Sequence, residues 1–268
     1  MPGAAVATTV GTMQTMLPVG ADKIWAEDSG GSGPVLVLLH EGVGDSRMWD
    51  SMWSDLASAC RVIRYDVRGF GRSPAATQEF TLLGDLLAVL DHFQVASAHV
   101  AGCSMGGGTA LELALAEPGR VKSLVLLCPG VGGYDYPETP ELDAACDALA
   151  EAGDDEGIMR LLLDVWGRAG DDPLVTDLMR SAMRAWEGEE QFELDGEPTF
   201  DRLGDLRVPT VLMVGDMDDP GLIASNEQAA QRIPGCELIR MPRVDHYPTV
   251  RAPVLVAETI LRHCAAHA

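Results

Sequence analysis

Short hydrophobic runs alternate with helical patterns along most of the chain. The runs have strand length and are nearly continuous, which is typical of a parallel sheet buried on both faces. They lie at residues 35–39, 61–65, 99–102, 121–127, 210–214 and 237–241. Between them, apolar residues recur at i, i+3 and i+4 and predict helices. These helices cover residues 48–57, 82–93, 105–116, 222–233 and 254–264. The alternation predicts an α/β fold built from right-handed βαβ units.

Two parts of the chain depart from this rhythm. Residues 13–17 and 23–27 have the pattern of two strands that form an antiparallel start to the sheet. Residues 131–200 have no strand pattern, and helices are predicted instead. These helices cover residues 138–150, 156–166 and 174–186. We therefore expect one core made of residues 1–130 and 201–268, with residues 131–200 inserted as a helical cap between the sixth and seventh strands.

The charge of the chain is concentrated in the predicted cap. The 268 residues include 41 acidic and 19 basic side chains, for a net charge of −22. Residues 131–200 hold 19 of the acidic and four of the basic residues, a net charge of −15. A chain of this charge repels nucleic acid and anionic lipid surfaces, so neither is expected as a partner. We expect the cap to disfavour anionic small molecules as well.

The sequence favours a cytoplasmic protein. The first 22 residues have no Lys or Arg and no apolar segment like that of a secretion signal. Apolar runs such as residues 35–39 are far shorter than the ~20 residues that span a bilayer. The six cysteines are scattered without a CxxC motif, which is typical of buried thiols in a reducing compartment. The sequence is compatible with a monomer and with a homo-oligomer.

A candidate nucleophile lies where a predicted strand meets a predicted helix. Residues 102–106 match the motif G-x-S-x-G, with Ser104 at its centre. Glycines on a sharp strand-to-helix turn let backbones approach closely and leave the serine hydroxyl exposed. The alternative is a glycine-rich turn that only packs or binds phosphate.

A serine hydroxyl needs a base, and the base needs a group that orients it. His246 follows the strand at 237–241 and precedes the last helix, so it lies at the same sheet edge as Ser104. Asp216, Asp218 and Asp219 follow the strand at 210–214 at that edge. The order Ser, Asp, His along the chain is one known arrangement of such a triad. The residues alone leave the choice among the three aspartates open.

Together these segments resemble the α/β-hydrolase fold family, over nearly the whole chain. Each segment is similar to one of the family's motifs: the oxyanion loop, the loop after the next strand, the nucleophile elbow, the strand that carries the acid, and the base with its proline. The segments are residues 40–49, 65–73, 102–107, 208–218 and 246–248. Within the family, the chain is most similar to esterase and enol-lactonase members.

The resemblance implies a role for each matching residue. Ser104 corresponds to the nucleophile and His246 to the general base. Asp218, three residues after Gly215, fits the family's acid better than Asp216 or Asp219. The backbone N–H groups of Gly42 and Met105 correspond to the oxyanion hole. The family implies no metal and no organic cofactor.

The chain departs from the family pattern at two positions. Glu41 stands where a glycine usually follows the first histidine, and Asp245 stands where a glycine usually precedes the base. The Glu41 carboxylate either points into solvent, or binds a polar or cationic group of the substrate or acts as an additional acid or base. Asp245 is compatible with a left-handed backbone, which Asp tolerates better than most residues.

We expect the cap to select the substrate. Met179, Met183 and Trp186 share one helical face, and Trp166 adds to the same lining. The alternative is a stripe that only attaches the cap to the core.

The predicted function is hydrolysis of a small, neutral or cationic, largely apolar ester or lactone through an acyl-serine intermediate. C–C bond hydrolysis and thioester hydrolysis are alternatives on the same triad. Non-hydrolytic chemistry, such as cyclisation or elimination in biosynthesis, and ligand sensing are alternatives that use the same pocket.

Overall fold

An eight-stranded, mostly parallel sheet forms the centre of the molecule in a computed structural model, which describes residues 12–189 and 192–268. The strands are β1 (Met13–Val19), β2 (Asp22–Asp28), β3 (Val35–Leu39), β4 (Arg61–Tyr65), β5 (Ala98–Cys103), β6 (Val121–Leu127), β7 (Thr210–Gly215) and β8 (Glu237–Met241). Their order across the sheet is β1-β2-β4-β3-β5-β6-β7-β8. The pairs β1–β2 and β2–β4 are antiparallel, and all other pairs are parallel. The predicted sheet and its antiparallel start are confirmed.

Helices cover the sheet and form the segment between β6 and β7. They are α1 (Asp50–Ala59), α2 (Leu82–His92), α3 (Met105–Ala116), α4 (Pro140–Ala152), α5 (Asp155–Trp166), α6 (Pro173–Glu189), α7 (Pro220–Arg232), α8 (Pro248–Arg251) and α9 (Pro253–Ala266). Short 3₁₀ segments occur at Ser46–Trp49, Pro118–Arg120 and Phe200–Asp205. The helical pattern did not predict α8, because four residues are too few to show a period.

The sheet separates two hydrophobic clusters, as side chains alternate between its faces. Leu36 and Leu38 of β3 pack with α1 and α9, while Val37 and Leu39 pack with α2 and α3. The central strands β5 and β7 are buried along their whole length, which explains their apolar sequence. Because β3 to β8 run parallel, the loops at the carboxyl ends of these strands meet at one edge.

The inserted segment contains α4, α5 and α6, as the sequence predicts. Residues 192–199 add only a single bridge, between Glu193 and Phe80 at the start of α2. The boundaries between core and cap at residues 130 and 201 stay a prediction. Residues 1–11 of the core and residues 190–191 of the cap lie outside the described residues. In the part of the chain that the structure describes, we find no helix that combines the length and apolar character needed to cross a membrane.

Candidate active site

Ser104 lies on a turn that only small neighbours allow. Its backbone has φ 47° and ψ −112°, a strained conformation between the last residue of β5 and the first of α3. A Cβ atom at Gly102 would lie 2.3 Å from the Gly106 carbonyl oxygen, and one at Gly106 would lie 2.6 Å from the Leu39 Cβ. Since real Cβ atoms do not approach this closely, both positions require glycine. The two flanking glycines therefore build the turn that presents Ser104, which is half-buried.

Two backbone N–H groups flank Ser104 and are free to bind an anion. Met105 begins α3, a helix of 12 residues, so its N–H has no partner within the helix and lies at the positive end of the helix dipole. Gly42 lies in the loop after β3, and a Cβ atom there would lie 3.7 Å from the Met105 side chain. Among the described residues, neither N–H donates to another protein group. The geometry fits the expected oxyanion hole.

The loop that carries Gly42 is held on several sides. The Val67 N–H donates to Nε2 of His40 over 3.0 Å, so Nδ1 of His40 carries the proton and donates to the Glu41 carbonyl over 2.8 Å. The Trp186 indole N–H donates to the Gly42 carbonyl over 3.1 Å. The Tyr247 hydroxyl donates to the carbonyl of Val43 over 3.1 Å. Three of these contacts join the loop to the core, the cap and the loop of the candidate base, and the fourth lies within the loop.

His246 and Asp218 form a buried pair. Nδ1 of His246 lies 3.0 Å from each carboxylate oxygen of Asp218, and the two residues are 1% and 2% exposed. Burial lowers the pKa of His246, but the adjacent Asp218 carboxylate outweighs that effect and holds the pKa well above its usual range. Asp218 is therefore the aspartate that orients the imidazole.

The neighbouring aspartates have other partners. Asp216 is exposed and accepts from the Arg243 N–H over 2.6 Å. Asp219 caps α7 by accepting from the N–H groups of Gly221 and Leu222. Each carboxylate is committed to holding the loop or the helix, which leaves only Asp218 in contact with His246.

Glu41 does not point into solvent, so that alternative is wrong. The residue is 0% exposed, and neither carboxyl oxygen has a hydrogen-bond partner among the described residues. Burial raises the pKa of Glu41 to about 8. The cap covers the loop after β3 and thereby encloses a side chain that the local sequence would leave exposed.

Asp245 is explained by a contact rather than by a left-handed backbone. The residue with positive φ in this loop is Arg243, with φ 60°. The buried Asp245 carboxylate accepts from the Ala169 N–H over 2.9 Å and pairs with Arg251 over 3.0 Å. It therefore ties the loop of His246 to the segment after α5 of the cap.

The predicted cap residues occupy different places. The Trp166 ring packs against that of His246 at a tilt of 45°, with centroids 4.6 Å apart, and the Trp166 carbonyl accepts from the His246 N–H. Trp186 contacts Gly42 as described. Met179 is fully buried in the hydrophobic cluster, and Met183 lines a cavity of about 240 Å³ between α5 and α6. The structure brings the two tryptophans to the site, whereas Met179 attaches the cap to the core.

Two features of the site were missed by the sequence reasoning. Asp45 is fully buried and accepts from Arg47 and, over 2.7 Å, from the Ser181 hydroxyl of α6. Burial raises the pKa of Asp45, but the hydrogen bonds from Arg47 and Ser181 outweigh this and lower it to about 2. Cys128, with φ 37°, lies against His246, and its sulfur is 3.6 Å from that of Cys103. No motif marks these residues, because their partners are distant in sequence.

One set of potential metal ligands is present among the described residues. Atoms of Cys128, Asp218 and His246 lie within 4.8 Å of one another. However, Nδ1 of His246 and both Asp218 oxygens already form the pair described above. Metal binding there would have to displace that hydrogen bond.

Comparisons with known proteins identify the family of the chain. The family model of the alpha/beta hydrolase fold matches residues 34–250. The 2-hydroxymuconate semialdehyde hydrolase of Pseudomonas sp. (strain CF600) is 36% identical over 156 residues, 56% of this chain and 52% of the relative. The rhodomycin D methylesterase DauP of Streptomyces sp. (strain C5) is 29% identical over 286 residues, 91% of this chain and 94% of the relative.

A solved structure supports the fold over almost the full length. The enol-lactonase from Burkholderia xenovorans LB400 superposes with a TM-score of 0.78 at 22% identity, covering 94% of this chain and 100% of that chain. The chain spans about half the length, or less, of several curated relatives that it matches. The family match nevertheless covers most of the chain, and it includes Ser104, Asp218 and His246. The chain therefore belongs to the alpha/beta hydrolase fold family.

Proposed function

We propose that the chain is a serine hydrolase that cleaves a small, largely apolar ester or lactone. The observation that carries the proposal is the strained Ser104 at the start of α3, at the same sheet edge as the buried His246–Asp218 pair. A serine at the same sheet edge as a base and two free N–H groups is suited to acyl transfer. The hydrolase and methylesterase activities in the names of the two relatives are of the same kind.

The reaction proceeds in two halves. Ser104 Oγ attacks the carbonyl carbon while His246 takes the hydroxyl proton, and the Gly42 and Met105 N–H groups bind the oxyanion. His246 then returns the proton to the leaving alcohol, and an acyl-serine remains. Water, deprotonated by the same imidazole, attacks the acyl group and restores Ser104. Asp218 keeps Nδ1 of the imidazole protonated and stabilises the imidazolium throughout.

A cavity beside the elbow supports the proposed substrate class. It has a volume of about 440 Å³ and is lined by the Met105 side chain together with Leu82, Pro198 and the small residues of α3. Glu112, Asp195 and Glu197 add acidic groups to its rim. Apolar walls with acidic groups suit a neutral or cationic substrate and disfavour a carboxylate.

A panel of small esters, lactones and thioesters tests the proposal with the wild-type chain and Ser104→Ala. We expect turnover of several esters or lactones, and a loss of several orders of magnitude in Ser104→Ala with an unchanged melting temperature. Asp216→Asn is the matched control and should retain activity. Equal turnover by Ser104→Ala and the wild type would overturn the proposal.

A further inference from the structure

Among the described residues, the Glu41 carboxyl group has no partner that explains its burial. Both oxygens lack a hydrogen bond among the described residues, although the side chain is 0% exposed. A buried polar group left unsatisfied costs about 1–3 kcal/mol. Native proteins rarely keep such groups without a reason, and a ligand or water is the usual one. We therefore expect the partner of Glu41 to be a group of the substrate that enters the site.

The carboxyl group lies between the loop after β3 and the cap. A Cβ atom at Gly44 would lie 2.5 Å from the Glu41 Oε1 and 3.4 Å from the Leu178 Cβ of α6. Gly42, the next residue in the chain, carries one of the two N–H groups of the oxyanion hole. A polar group bound by Glu41 would therefore lie close to the carbonyl that Ser104 attacks.

The ionisable groups around Glu41 come from four elements. His246 and Tyr247 face it from the loop after β8, Asp45 from its own loop, and Cys103 and Cys128 from the ends of β5 and β6. His246 is paired with Asp218, and Arg47 is paired with the anionic Asp45, so neither of these cations is free to pair with Glu41.

These surroundings keep the carboxyl group uncharged at neutral pH. Burial raises the pKa of Glu41 to about 8. As a carboxylic acid it has one O–H donor and retains acceptor capacity. A hydroxyl group matches both, since it accepts from the acid and donates back to it. An ammonium group would instead form a buried ion pair, for which desolvation is costly.

We propose that Glu41 determines specificity by binding a hydroxyl group that the substrate carries next to the scissile carbonyl. The inference rests on the proposed function, because it needs Ser104 to attack that carbonyl. It narrows the substrate class to hydroxy esters or hydroxy-substituted lactones. The uncharged state also matters for catalysis, since a carboxylate beside the oxyanion hole would oppose the developing negative charge.

Paired esters test the proposal: a 2-hydroxyalkanoate ester and its 2-methyl counterpart, which has nearly the same shape. We expect the wild type to prefer the hydroxy ester by at least about tenfold in kcat/KM, the equivalent of one good hydrogen bond. Glu41→Leu should lose this preference. Glu41→Gln, which keeps an uncharged donor and acceptor, should retain most of it. Glu156→Gln, which alters an exposed carboxylate of α5, is the matched control and should behave as the wild type.

The pH profile gives a second readout. The kcat/KM of the wild type relative to that of Glu41→Gln should fall as pH rises through about 8, because Glu41 then ionises beside the oxyanion hole. Both proteins share the titration of His246, so the ratio isolates the effect of Glu41. Glu41→Leu should fold with equal or higher stability, because an apolar side chain removes the unsatisfied polar group.

Labelling of Ser104 separates the two proposals. If a fluorophosphonate labels the wild type and Glu41→Leu at Ser104, the proposed function holds in both. An unchanged hydroxy-ester preference in labelled Glu41→Leu, or no preference in the labelled wild type, would then overturn the role of Glu41 alone. Failure to label Ser104 in the wild type would count against the proposed function itself.

Discussion

Replacing Asp218 with asparagine tests how the imidazole is held. Oδ1 of Asp218 accepts from the Asp219 N–H over 2.8 Å, and both oxygens lie 3.0 Å from Nδ1 of His246. In Asp218→Asn, the amide oxygen keeps the bond to Asp219, so the NH₂ group takes the place of Oδ2. An NH₂ group can only donate, so it repels an Nδ1–H and favours the tautomer in which Nδ1 accepts. The proton moves to Nε2, and the imidazole can no longer take a proton from Ser104.

The size of the effect follows from this reversal. An imidazole in the wrong tautomer costs about 10⁴ in kcat, or about 5 kcal/mol of transition-state stabilisation. The loss of the Asp218 charge should also lower the pKa of His246, because that carboxylate, together with Cys128, raises it. A general base works when it is neutral, so the residual activity should persist to lower pH than in the wild type.

The assay is kcat and its pH profile for a good ester substrate. Asp216→Asn and Asp219→Asn are the controls. Asp216 lies on the surface, and asparagine caps helices about as well as aspartate, so both variants should stay within a few-fold of the wild type. If Asp218→Asn keeps more than a tenth of the activity while Asp216→Asn loses a thousandfold, the assignment of the acid is refuted.

Three further predictions concern the cap. Asp245→Gly, which restores the family's residue, should lower the free energy of unfolding by about 2 kcal/mol, because it removes a buried carboxylate that accepts from Ala169 and pairs with Arg251. Chemical denaturation measures this, and an unchanged midpoint would contradict it. Trp186→Phe should reduce kcat by about tenfold with a smaller effect on KM, because it removes the donor to the Gly42 carbonyl that holds the oxyanion loop. An equal loss of kcat for esters with and without a bulky acyl group would support this. A change in KM alone would contradict it. The acidic cap should favour a neutral ester over its carboxylated analogue at low salt, with the gap in kcat/KM shrinking as ionic strength rises; preference for the anion at low salt would reject the electrostatic argument.

The parts of the site that depend on local sequence were predictable. Ser104 was identified because its glycines are adjacent in the chain, and the strand and helix around it have clear periodic patterns. The choice of Asp218 needed the resemblance to a family, since three aspartates lie within four residues of the loop. Only the structure separates them by their partners.

The parts that depend on the cap were not predictable from periodicity. The burial of Glu41 results from α6, which lies more than 130 residues away, and so does the Ser181 contact with Asp45. The role of Asp245 as a link to Ala169 likewise requires the position of the loop after α5. A helical pattern shows which face is apolar, but not which polar groups of the core that face encloses.

The most direct test of the central claim is covalent trapping of the nucleophile. The intact chain would be treated with a fluorophosphonate, its mass measured, and the modified peptide sequenced by mass spectrometry. The account predicts one label per chain, located on Ser104 and absent from Ser104→Ala. A label on another residue, or stoichiometric labelling of Ser104→Ala, would contradict it.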